Sequence, residues 1–181
     1  MLYKYTFFLL FVSFSAVGQQ CDVTDLIKLA KSVSYEDFET YAHNKEFRFF
    51  KTFKPDLPGG YKIRDGYFFT KKINQTSETL MFVITANLND KTSGSEELKV
   101  SYSTYDLGSF NNLKSQIKAA GYQRIRTTDS PDGSTIFASY YNNNSLVSIE
   151  TTISSDTRYN ITSYEVSAIY GYRTKKNSFD K

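Results

Sequence analysis

The chain of 181 residues has no tryptophan, one cysteine, one histidine and three prolines. A single cysteine excludes an internal disulfide. One histidine and one cysteine cannot assemble a zinc finger or a common catalytic zinc centre, and no segment has the spacing of a calcium-binding loop. His43 reads as a surface or capping residue near a helix end, and a catalytic pairing with Cys21 is not expected. No nucleophile elbow of the Gly-x-Ser-x-Gly kind is present. The glycines of DLPGG and SPDGS lack the lysine–hydroxyl sequel of a phosphate loop, so both stretches read as turns. Glu150 with Glu165 is the one carboxylate pair that could perform acid–base work, and charged residues on a wet sheet face are its ordinary meaning. The expectation is a non-enzymatic protein with no metal and no cofactor.

The net charge is small. A net +3 is spread along the chain, with one basic concentration at Arg173 to Lys176. A nucleic-acid surface requires a concentrated positive footprint, so no nucleic-acid partner is expected. The longest apolar run, Phe7 to Phe14, is too short for a transmembrane span. Preceded by Lys4 and followed by Ala16 and Gly18, it has the layout of a secretory signal peptide over residues 1–18. Cleavage there starts the mature chain at Gln19 and places it in the periplasm or outside the cell. Gln19 and Gln20 stand where a lipoprotein signal carries small residues, so a lipid anchor on Cys21 is not expected.

What the sequence does have is aromatic residues, with fifteen tyrosines and fifteen phenylalanines, many in runs rich in Thr, Ser and Val. That composition suits sheet. Helices are predicted near Val23–Lys31, after Ser34, and from a cap at Asp106 or Ser109 to Gly121, where a left-handed terminus is expected. The stretch FETYAHNKEFRFFKT, residues 38–52, overlays LKSQIKAAGYQRIRT, residues 113–127, without a gap. Phe38 falls on Leu113, Ala42 on Ile117 and Phe47 on Tyr122. Each copy leads from helix to strand, and alternating segments follow: 61–72, 79–87 and 97–105 in one half, 135–141, 146–153 and 161–173 in the other. Turn residues separate them.

The fold class is therefore α+β: two tandem helix-plus-antiparallel-strand units, with helices on one face of a curved antiparallel sheet, preferably a single sheet. The units run from about 22 to 107 and 108 to 173 within one exported domain, 19–181, ending in a basic tail at 174–181. Leu98, Val100 and Tyr102 share one face, as do Tyr164, Val166, Ala168 and Tyr170. The other face is hydroxylated and open to water.

A half-wet sheet suits a protein or peptide partner, and tyrosine serves such interfaces well. Tyr61, Tyr67, Phe69, Tyr140 and Tyr141 are the candidate partner-binding residues. The paired units resemble the broad architecture of tandem-repeat proteinaceous enzyme inhibitors and of some immunity proteins, without a shared motif. The alternatives are a lipid or glycan ligand between helices and sheet, a carboxylate enzyme in which Glu150 and Glu165 cluster with Arg158 or Arg173, and edge pairing through the terminal strand 161–173.

Overall fold

Each helix opens on a side-chain cap. The Asp22, Ser34 and Asp106 oxygens accept from the backbone N–H three residues on, at 2.8, 3.1 and 2.6 Å. They start α1 (Val23–Ser32), α2 (Tyr35–Asn44) and α3 (Leu107–Ala119). Such a cap satisfies one of the amides that a helix start leaves without a partner. Of the two residues anticipated for α3, Asp106 holds the cap and Ser109 donates to it through both amide and hydroxyl. The computed structural model describes residues 21–54, 61–73, 76–87 and 95–173. The leader over 1–18, the tail 174–181, the PDLPGG turn and most of NDKTSGS lie outside them, as do the side chains of Tyr61 and Arg173.

Eight strands follow the helices: β1 (Arg48–Thr52), β2 (Tyr61–Ile73), β3 (Thr76–Asn87) and β4 (Ser95–Thr104) after α2, then β5 (Gln123–Asp129), β6 (Thr135–Tyr141), β7 (Val147–Asp156) and β8 (Ile161–Arg173) after α3. They form one open, curved antiparallel sheet in the order β1-β2-β3-β4-β8-β7-β6-β5. The fold class expected from the sequence is the one observed. The terminal strand is a correction: β8 pairs with β4 on one side and β7 on the other, so it is central and has no edge to offer. The edges are β1 and β5. Duplication dictates this, because each unit's last strand joins its counterpart at the middle.

The two units match in backbone detail. After α2 the Phe47 N–H donates to the Ala42 carbonyl at 2.9 Å, and after α3 the Tyr122 N–H donates to Ile117 at 3.2 Å. The residues before them, Glu46 and Gly121, donate to His43 and Lys118 at 2.9 and 3.0 Å. Both are left-handed, with φ of 66° and 80°. This is the Schellman termination, and it places Phe47 and Tyr122 under the helices. The register of β1 shifts between Phe49 and Lys51, and that of β5 between Arg124 and Arg126. The residues skipped, Phe50 and Ile125, coincide in the overlay.

Glu46 occupies a left-handed site that favours glycine, and its carboxylate is exposed, so its ion pair with Lys71 contributes little. Replacing Glu46→Gly is expected to stabilise the chain by about 0.5–1 kcal/mol, raising the melting temperature by ~1–4 °C. A thermal melt that is unchanged or lower contradicts this.

All three helices lie on one face. Leu26, Phe38, Phe110, Leu113 and Ile117 pack with Leu80, Phe82, Leu98, Val100, Tyr102, Ile149, Val166 and Ala168 in one cluster. Helix α1 crosses the β4–β8 seam and is tied to α3 by its Val23 N–H, which donates to Gln116 Oε1 at 2.9 Å. Cys21 belongs to this core at 2% exposure; burial pushes its thiol up to about 12, the environment of a small apolar side chain.

Candidate partner-binding face

Strict alternation makes the opposite face of the sheet as regular as the packed one. One row runs in register across all eight strands: Lys51, Phe68, Met81, Ser101, Ser167, Glu150, Ser139 and Arg126. A cation stands at each end, apolar side chains fill the β2–β3 side, and three serine hydroxyls with the Glu150 carboxylate fill the centre. Among the described residues no helix covers this face.

At the centre, Lys99 Nζ lies 3.0 Å from Glu165 Oε1. The Ser167 hydroxyl donates to Oε1 at 2.8 Å and the Ser103 hydroxyl to Oε2 at 3.2 Å. Ser101 and Ser167 are fully buried beneath the pair, their hydroxyls 2.9 Å apart. Burial raises the Glu165 carboxyl's affinity for protons. The Lys99 charge and the hydrogen bonds from Lys99, Ser167 and Ser103 outweigh it, leaving the carboxyl below the usual range.

The β2–β3 side is a small apolar shelf. Gly66 has no side chain because Phe53 occupies that space: a Cβ there would lie 2.6 Å from the Phe53 carbonyl oxygen and 2.8 Å from its ring. The Phe53 ring in turn meets Phe68 edge-on at 5.3 Å. Val83, paired with Gly66, and Ile63 are buried here, outside the main core. A glycine inside a strand marks such a close approach.

On the other side, β6 turns Phe137, Ser139 and Tyr141 to the open face. Ile136, Ala138 and Tyr140 pair with Ile153, Thr151 and Ile149 beneath the helix layer. Phe137 and Tyr141 are each 45% exposed.

The structure sorts the five aromatic residues singled out in the sequence by this alternation. Tyr67 and Tyr140 are partly buried against the core, Tyr67 packed on Tyr35 at 4.0 Å. Phe69 is completely buried against Phe38 and Phe49, which makes it a core residue rather than a surface one. Tyr141 reaches the open face, and the Tyr61 side chain lies outside the described residues. Phe137 was missed and Phe68 was left out of the five, although alternation alone separates Phe68 from Tyr67 and Phe69, and joins Phe137 to Tyr141.

Glu150 and Glu165 share the open face on adjacent strands. Glu150 pairs with Ser167 and Glu165 with Thr152, so the carboxylates stand diagonally. Glu165 is committed to Lys99, and Arg158 to Asp156 at the far hairpin, 3.1 Å away. The convergent cluster an acid–base site requires is therefore not assembled by these residues. Among the described residues no group of three or more His, Cys, Asp or Glu side chains could hold a metal, and no helix is long and apolar enough to cross a membrane. No protein-family profile, curated protein or solved structure matches this chain.

Proposed function

We propose that this chain is an exported, non-enzymatic module that binds a protein or peptide partner through the open face of its sheet. The observation that carries the reading is the pair of half-exposed rings, Phe137 and Tyr141, four residues apart on the face that no described helix covers. Aromatic anchors of this kind supply most of the energy of typical interfaces. The shelf of Phe53 and Phe68 gives the same face a second apolar end. Between them the Lys99–Glu165 pair is internally neutralised, and Glu97 and Glu150 on the same face leave the centre acidic. The leader layout supports export.

Mature protein beginning at Gln19, used as bait against the envelope fraction of its native organism, is expected to retain one stoichiometric partner at moderate salt. Phe137→Ser with Tyr141→Ser is expected to weaken that capture by about thirtyfold or more, the loss of ~2 kcal/mol from an interface anchor. A partner held equally by the double variant rules out this face, and the absence of any partner rules out the module.

A further inference from the structure

The duplication supplies an internal comparison for a feature the open face does not use. A groove of about 810 Å³ lies between α3 and the β5–β6 edge. Asn111, Lys114, Ser115 and Lys118 line one wall at successive helical turns, and Arg124 and Tyr140 face them from the strands. No carboxylate lines it. None of the three cations forms an ion pair with another described residue; Lys114 lies over the Phe110 ring at 4.8 Å. The volume is that of a small-molecule site.

The corresponding groove of the first unit, about 670 Å³, lies beside His43, Glu46, Arg48, Lys71 and Lys72. There the chain supplies one anion of its own, which pairs with Lys71. Lys71 Nζ meets Glu46 Oε2 at 2.9 Å and donates to the Lys45 carbonyl at 3.1 Å. In the second unit the Asn142 amide donates to the Ala120 carbonyl, the counterpart of Lys45, at 3.0 Å. Asn142 thus does Lys71's capping work without its charge. The counterpart of Glu46 is Gly121, which has no carboxylate. Overlaying the units puts Lys114, Lys118 and Arg124 on Glu39, His43 and Phe49, so the shared fold does not require cations at these positions. Three positive charges around one concavity, with no built-in anion, raise the local potential for an anionic guest.

We propose that this groove binds a small organic anion carrying at least two negative charges, with a ring or apolar body against Tyr140. Lysines one turn apart and an arginine fork opposite suit carboxylate or phosphate oxygens.

The test is an NMR titration of the isotope-labelled mature chain with citrate, benzenetricarboxylate and pyrophosphate, and with acetate as the monovalent control. Saturable shifts are expected on residues 111–124 and 140, tighter for benzenetricarboxylate than for citrate, weakening with salt and lacking for acetate. A stronger response to pyrophosphate assigns phosphate, rather than carboxylate, as the preferred group. Lys118→Glu with Arg124→Glu, both exposed, should lower affinity by about tenfold or more. Lys28→Glu with Lys31→Glu, on the exposed side of α1, should leave it unchanged, and the dispersed spectrum of each variant reports its fold. The proposal is overturned by no saturable binding up to about 10 mM, by acetate matching the polyanions, by citrate equalling benzenetricarboxylate, or by undiminished binding to the Lys118/Arg124 variant.

Discussion

Truncation of Phe38→Ala is expected to lower stability by about 3–5 kcal/mol, the range for removing a buried aromatic ring from a core. Phe38 is fully buried on the inner face of α2, its ring 5.5 Å from Phe69 and 5.2 Å from Phe82. Those partners lie on adjacent strands, and their backbone positions are fixed by the ladder between β2 and β3. The cavity therefore closes poorly, which places the cost high in the range. Leu113→Ala, at the corresponding position of α3, should cost about 2–5 kcal/mol. Urea unfolding followed by circular dichroism is the measurement. Both variants should show a lower midpoint with an unchanged slope. A single transition is expected for each, because β4 and β8 join the two units into one sheet. A Phe38→Ala loss below about 1 kcal/mol would exclude the described packing of α2.

Helices, strands and faces were legible because each is written locally. Ser34 is a helix start in sequence and in space, Asp106 is the one of two anticipated caps that holds, and the period-two pattern of Leu98, Val100 and Tyr102 is the buried pattern. The ungapped overlay was also a true structural statement: Glu46 and Gly121, Phe47 and Tyr122, Phe50 and Ile125 occupy matching backbone positions. Strand order was less legible, because alternation says which way a side chain points and nothing about which strand is its neighbour. That is why 161–173 read as an edge although it lies at the centre. Aromatic clusters misled for a related reason. In Tyr67-Phe68-Phe69 the outer two rings share the helix face and the middle one the open face, so density of rings was not a sign of exposure. The bulges left no composition signal. Gly66 did carry one, a glycine within a strand-like run, and it marks where Phe53 folds over the open face.

The Lys99–Glu165 pair yields the second large effect. Lys99→Met is expected to cost about 2–3 kcal/mol at neutral pH, below the ~3–5 kcal/mol of a fully buried pair, because the two side chains remain 29% and 26% exposed. Combining it with Glu165→Gln should recover more than half, since the amide carbonyl still accepts from a serine and no unpaired charge remains at position 165. The pH dependence gives the distinguishing sign. In the native chain the carboxyl is held below its ordinary value of 4.5, so its stabilisation is present above that value and lost as pH falls through the depressed one. Without Lys99, burial opposed only by the Ser167 and Ser103 hydrogen bonds is expected to raise the carboxyl instead. Its stabilising contribution then belongs to the protonated form, is present at acid pH and is lost as pH rises through the raised value. The gap between native chain and Lys99→Met should therefore be widest near neutrality and narrow steadily towards pH 4 in urea titrations. A gap that does not change with pH would show that Lys99 acts by packing alone. In that case Lys99 would do little to offset the Glu165 charge, which a partner would meet together with those of Glu97 and Glu150. Narrowing instead leaves Phe137, Tyr141, the Phe53–Phe68 shelf and the Glu97 and Glu150 carboxylates as the features of that face a partner can read.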